Sequence, residues 1–352
     1  GIDPVELLGN EPAALASWGI EFTAPSGEGL RIPFRSAYNP LTDAPPGYIM
    51  PRYDFDAWLL QHTVAQPLVE FRPRQKVIKV ERSDDWITLE IDGGIILKTR
   101  AVIAADGVHS VARRLIDARP WPARHHCAGI RAYYEQVSGL NEDGFIELHF
   151  LPELLPGYLW IFPLGSGKAN VGLGMRSDVV ARKRVSLRKL LTKLLLELPQ
   201  FQSRFAGSRP LGPPTGLGLP LGSRWSILAA PGILRCGDAA NLIDPFTGEG
   251  IGNAMLSGRM AGQQMARAWG AKAYHADVLM QYPQLLRNKL GNELRVSSGL
   301  QYLSRWPWLF NRMVRQANRH EELKQVLMCM FEDVNLRRHL TRPSFYYNWL
   351  LG

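Results

Sequence analysis

One stretch of the chain restricts the fold more than any other. Ile233-Leu234-Arg235-Cys236 is a short apolar run of strand type that ends at Gly237-Asp238, and a helical pattern runs from about Gly248 to Trp269. Four glycines fall within residues 237–252. A strand that ends on a carboxylate delivers it to the carboxyl edge of a sheet, where open α/β folds bind ligands. A glycine-rich turn lets the backbone approach a flat or phosphorylated ligand closely. The helix that follows offers free N–H groups and a positive dipole end to an anion. An ordinary strand–loop–helix crossover is the plain alternative, but it has no need of an acid beside four glycines. The pattern predicts an α/β fold holding a cofactor with hydroxyls and a developing negative charge.

A second segment repeats the logic. Arg100 to Ala105 is a short apolar run suited to a buried parallel strand; it ends at Asp106-Gly107, and a helix is expected from about Ser110. An acid and a glycine at a strand end, followed by a helix start and the cation Arg113, suit a pyrophosphate-bearing cofactor. Further upstream, Arg52-Tyr53-Asp54-Phe55-Asp56-Ala57-Trp58-Leu59 opens an expected helix over 54–66, with Asp54 able to cap it. In Tyr158-Leu159-Trp160-Ile161-Phe162-Pro163, the strand period of two puts Tyr158, Trp160 and Phe162 on one face. Such a face is a sheet core or an apolar wall of a pocket.

Strands are also expected at 21–23, 30–34, 76–82, 86–91 and 95–98, with Ser83-Asp84-Asp85 turning a hairpin. Four more are expected at 130–136, 145–150, 158–164 and 169–175, and a basic, Leu-rich helix at 186–198. Residues 207–223, dense in Gly and Pro, suggest a connecting loop, and residues 272–352 a mostly helical region rich in Arg and aromatics.

Together these segments resemble FAD-dependent oxidoreductases of the aromatic-hydroxylase superfamily, and within it the geranylgeranyl reductase family. Asp244-Pro245-Phe246-Thr247-Gly248-Glu249-Gly250-Ile251-Gly252-Asn253-Ala254-Met255 looks most like that family's second flavin-binding motif. The resemblance implies that Asp238 holds the ribityl chain of FAD, with Gly237 also in the cofactor site. It implies that Pro245, Gly248, Gly250 and Ile251 line the isoalloxazine ring, beside a helix dipole. Asp106, Gly107 and Arg113 match the superfamily's Asp-Gly-x-x-Ser-x-x-Arg motif, and Arg52 its Arg-x-x-Phe-Asp-x-x-Leu segment. Tyr158, Trp160 and Phe162 look like the reductases' Tyr-x-Trp-x-Phe-Pro, which lines the pocket beside the flavin. Halogenases carry a similar Trp-x-Trp-x-Ile-Pro.

The implied fold is α/β (α+β): a Rossmann-like parallel sheet, discontinuous in sequence, with an antiparallel-sheet substrate domain and a helical C-terminal region. The expected divisions are 1–118 and 232–271 for FAD, 119–231 for substrate, and 272–352 for the helices. The implied activity is saturation of C=C bonds in a polyprenyl, geranylgeranyl-type chain by hydride from reduced flavin, with NAD(P)H or ferredoxin as the electron donor. Two alternatives stay open: a flavin monooxygenase or halogenase on the same fold, and a non-enzymatic lipid- or partner-binding chain.

The superfamily's opening Gly-x-Gly-x-x-Gly unit is not found; Gly27-x-Gly29 has neither a strand before it nor a helix after it. The expectation is a piece of a longer polypeptide, or a chain that binds FAD weakly. The family's cysteine has no counterpart, so no catalytic residue is assigned. No metal site is expected, since His125, His126 and His149 lack ligand spacing. Cys127, Cys236 and Cys329 form no CxxC pair; a reducing compartment is expected, and Cys236 reads as an inert core thiol.

The chain carries 41 Lys+Arg against 32 Asp+Glu, a net charge of +9. Residues 1–118 contribute −4, 119–231 +7, 232–271 zero and 272–352 +6. No nucleic-acid-binding signature accompanies the charge. A cytoplasmic protein is expected. Arg305-Trp306-Pro307-Trp308 and Phe345-Tyr346-Tyr347-Asn348-Trp349 suit peripheral contact with the inner face of a membrane.

Overall fold

A computed structural model describes residues 14–35, 37–83, 86–274 and 276–320. The Ser83–Asp85 turn, Cys329 and the 345–349 motif lie wholly or partly outside them.

The centre of the structure is an eight-stranded, mainly antiparallel sheet. Its order is Arg209–Pro210, His126–Glu135, Ala169–Arg176, Tyr158–Pro163, Ile146–His149, Gly19–Thr23 and Gly29–Pro33, with Thr215–Pro220 also paired to His126–Glu135. Residues 19–33 thus join this sheet, parallel to Ile146–His149 at its inner strand. Gly27 adopts a positive φ of 85° in the hairpin between them. This is a turn, consistent with the absence of a nucleotide-binding loop there.

The two faces of the sheet differ. Leu159, Ile161, Val171 and Leu173 are fully buried against Leu191, Leu194 and Leu195 of the Leu187–Glu197 helix and Phe201 and Phe205 of the Pro199–Phe205 helix. Each such side chain contributes about 1.5–3 kcal/mol by leaving water. Glu147 and His149 point to the same side. Burial pushes the Glu147 carboxyl up, but bidentate Arg204 at 2.7 Å and His149 at 3.0 Å outweigh it and hold it below the usual range. On the other face, Tyr158, Trp160 and Phe162 are only half-buried. They pack beside Phe22, Leu148, Phe150 and Phe310.

Ile233–Arg235 runs parallel to Val102–Ala104, and Ala229–Ala230 completes a three-stranded sheet. Among the described residues, this pair is the parallel part of the expected Rossmann-like layer. In the strand expected to be buried at 100–105, Ala104 is buried but Ile103 is 39% exposed. Val77–Arg82, Ile87–Ile91 and Ile95–Thr99 form a separate antiparallel meander.

Three further expectations change. Residues 207–223 contain two strands, Arg209–Pro210 and Thr215–Pro220, both at the sheet edge. An edge tolerates the Pro and Gly that would disrupt an inner strand. The first helix is Arg52–Val64, preceded by Pro51, so Asp54 lies in its first turn and is not its cap. The helix after the glycine-rich loop is Ile251–Gly270; the loop continues through Gly248, at φ +68°, and the Glu249 carboxylate accepts from Gly252 N at 2.5 Å to set the start. Among the described residues three helices follow: Ala276–Leu279, Gln281–Leu303 and Pro307–Arg319. No described helix is long and apolar enough to cross a membrane.

Candidate active site

The two acid–glycine turns end adjacent parallel strands. Arg235 pairs with Ala104, so Asp106 and Asp238 emerge at the same edge, two and three residues beyond that pair. Their carboxylates are used differently. Asp106 is exposed, and its Oδ2 accepts from Val111 N at 2.7 Å. Ser110, buried, accepts from Arg113 N at 3.0 Å. Both side chains therefore satisfy free N–H groups of the Val111–Ile116 helix. Gly107 sits at φ +72°, which permits the turn. The Arg113 guanidinium reaches the Arg119 carbonyl at 3.3 Å.

Asp238 is half-buried, and among the described residues its carboxylate accepts no hydrogen bond. Desolvation holds its pKa above the ordinary aspartate value, with Arg52 pulling the other way. Arg52 also forms a bidentate pair with Asp56 at 3.0–3.1 Å, and its backbone N–H donates to the Tyr133 hydroxyl at 3.3 Å. The start of the Arg52–Val64 helix is thereby tied to the large sheet through Tyr133. Gly237, at φ +56°, donates to Ser257 Oγ at 2.9 Å, fixing the strand end on the Ile251–Gly270 helix.

Gly250 faces the carboxylate: a Cβ there would lie 3.4 Å from Asp238 Oδ1 and 3.2 Å from Ile243. Only a glycine leaves that approach free. Gly248 is exposed and Ile251 is 40% exposed, so this edge of the loop is open. Pro245 is buried.

The loop is itself held by a group the motifs did not single out. Asp244 is buried and accepts from Phe246 N at 2.9 Å, Thr247 N at 2.8 Å and the Ser297 hydroxyl. Gln301 Nε2 donates to the Pro245 carbonyl at 2.5 Å. Asp before Pro is a turn signal, because the side chain can accept from N–H groups two and three residues on. Ser297 and Gln301 extend the buried stripe Tyr282, Leu286, Leu290 and Leu294 of their helix. Polar residues on an otherwise apolar stripe were the signal that could have found them.

The aromatic strand meets this loop. The Tyr158 hydroxyl donates to the Thr247 carbonyl, and a Cβ on Gly248 would lie 3.3 Å from it. Burial pushes the Tyr158 phenol well above its usual range, so it keeps its proton. Gly172 lies opposite Trp160, and a Cβ there would meet the indole at 2.3 Å. The indole lies across the space its partner strand lacks, with Nε1 donating to Asn170 Oδ1 at 3.2 Å. Trp160 stands 6.1 Å from Tyr158 and 6.3 Å from Phe162, ring to ring. Tyr158, Gly248, Gly250, Asp238 and Arg52 are thus brought to one region, while the Asp106 and Arg113 side chains are committed to local structure.

The histidines form no metal cluster among the described residues. His125 and His126 bond to Ser223 and Ser177, at 2.8 and 2.9 Å. Cys236 is a buried thiol that burial pushes up.

The fold is that of flavin-dependent oxidoreductases. It superposes on the geranylgeranyl bacteriochlorophyll reductase-like protein of Thermoplasma acidophilum with a TM-score of 0.77, at 20% identity, over 92% of this chain and 82% of that one. A flavin-dependent brominase matches with a TM-score of 0.70 at 15% identity, over 98% of this chain and 85% of the brominase. Residues 128–204, which include the aromatic strand, match the geranylgeranyl reductase catalytic domain. Digeranylgeranylglycerophospholipid reductase 1 of Methanopyrus kandleri is 32% identical over 247 residues, or 67% of this chain and 62% of the relative. The chain belongs to the geranylgeranyl reductase family. It spans less than two thirds of the length of that curated relative.

Proposed function

We propose that this chain is the flavin- and substrate-facing part of an FAD-dependent reductase that saturates C=C bonds in a prenyl lipid. The observation that carries the reading is the Tyr158–Thr247 bond, which fastens the half-buried aromatic face to the glycine-rich loop beside Asp238.

The residues present suit FAD. A desolvated carboxylate with no protein donor is costly unless something donates to it, and the hydroxyls of a ribityl chain do so. Gly250 leaves the space such a chain would need. The open edge at Gly248 and Ile251 offers backbone to the ring system, and Arg52 adds a cation nearby. FAD, when bound, supplies the hydride. The protein's part is alignment and exclusion of water. An isolated alkene has no carbonyl to polarise, so Tyr158, Trp160 and Phe162 act by shape and apolar contact. Tyr158 keeps its proton on the Thr247 carbonyl and serves as a strut between substrate wall and loop.

The names of the relatives support a prenyl lipid as substrate, and the electron donor would be NAD(P)H or ferredoxin. The test is anaerobic incubation of the reduced flavoprotein with digeranylgeranyl lipids, followed by mass spectrometry. The expected result is two hydrogens gained per saturated bond. Unreduced lipid, or substrate-stimulated O₂ consumption in air, would overturn the reading, the latter in favour of a monooxygenase or halogenase.

A further inference from the structure

The tail motif at 305–308 has no part in the site just described, yet it sits on the helices that wall it. Val296 and Leu300 of the Gln281–Leu303 helix, and Phe310 and Met313 of the Pro307–Arg319 helix, pack against the aromatic cluster of the sheet. Phe310 packs on Phe150, ring centroids 4.4 Å apart and planes tilted by 33°. The second helix therefore spends its apolar face on the domain, with Leu309, Phe310, Val314 and Ala317 buried.

The turn between these helices presents the opposite character. Tyr302, Trp306 and Trp308 are 52%, 38% and 63% exposed. Tyr302 and Trp306 meet edge to face at 5.1 Å, and the Arg305 guanidinium lies 5.1 Å from the first ring and 5.9 Å from the second. Residues 303–320 hold four arginines and no acid; Arg315 lies 3.7 Å from the Glu28 carboxylate, so Arg305 is the cation at the turn itself. Exposed indoles and a phenol around a guanidinium match the headgroup layer of a bilayer, where amphipathic rings sit at the interface and cations meet anionic lipid. Gln301, next in sequence to Tyr302, holds the Pro245 carbonyl. The surface is thus one residue from a contact that fixes the glycine-rich loop.

We propose that the Tyr302–Trp308 turn docks on an anionic lipid bilayer, placing the aromatic face of the sheet where a membrane-borne prenyl lipid can reach it. The docking deepens the reductase reading but does not need it to be measured.

The test is co-sedimentation of the full chain, loaded with FAD, with phosphatidylcholine vesicles with and without phosphatidylglycerol. The chain binds the anionic vesicles, and salt weakens the binding. Trp308→Ala lowers the affinity about tenfold, by the transfer value of a large apolar side chain. Arg305→Gln lowers it about fivefold, by the value of one cation near a charged surface. Circular dichroism of both variants stays that of the parent. Absence of binding by the parent chain overturns the proposal, as does binding that neither substitution changes. A lipid-free dimer abolished by Trp308→Ala overturns it too, and assigns the turn to a second copy. Failure of the reductase reading is separable: a chain that binds vesicles but reduces nothing refutes only that reading. Trp308→Ala retains reduction of detergent-dispersed lipid.

Discussion

Consecutive residues of the Tyr158–Pro163 strand serve opposite faces of the large sheet. Leu159 and Ile161 are fully buried under two helices, while Tyr158, Trp160 and Phe162 remain half-buried beside the glycine-rich loop. A strand divides its side chains between two faces by its period alone, so one segment carries both a filled core and the face proposed above as the substrate wall. Stability and function should therefore separate by single-residue steps.

Leu159→Ala gives the largest stability effect, a loss of about 2–5 kcal/mol from a filled core position. Chemical denaturation measures it; a loss under about 1 kcal/mol would show that the helices do not close that face. Trp160→Phe sharpens the contrast from the other side. It keeps an apolar ring, costs less than about 1.5 kcal/mol in stability, and lowers lipid reduction on the order of tenfold through poorer alignment. Equal reduction rates in both variants would break the division. Tyr158→Phe removes the strut to Thr247 and costs about 1 kcal/mol, again read from the denaturation midpoint.

The smallest effect concerns Asp238. Asp238 has its folded-state pKa raised by desolvation. The native chain without cofactor therefore binds more protons than the unfolded one between the two pKa values, and stability falls as pH rises through that window. Asp238→Asn removes this component, so its advantage over the parent grows with pH across the carboxylate range. Thermal melts of the cofactor-free protein at stepped pH show it; parallel curves would mean that Asp238 is not desolvated.

Much of this was legible in sequence because the signals were local. The strand periodicity at 158–163, the glycines at 248 and 250, and Ser110 before its helix each state a local constraint. What was not legible depends on partners distant along the chain. That Thr215–Pro220 forms a strand follows from its place on a sheet edge, which its Gly and Pro content conceals. That Asp106 is committed to Val111 while Asp238 has no donor among the described residues follows from the turn each acid enters. The same acid–glycine pairing in sequence does not distinguish them. Asp244 is placed by Ser297, 53 residues away.

In the proposed site the flavin is held from Asp238, facing the aromatic strand, and not from Asp106. Titration of FAD into the parent chain, Asp238→Ala and Asp106→Ala, followed by flavin fluorescence, tests it directly. Loss of charge-assisted bonds predicts affinity about 10–100-fold weaker for Asp238→Ala, and a change within about threefold for Asp106→Ala, which loses mainly a helix cap worth about 1 kcal/mol of stability. Equal affinities, or the greater loss in Asp106→Ala, would contradict it.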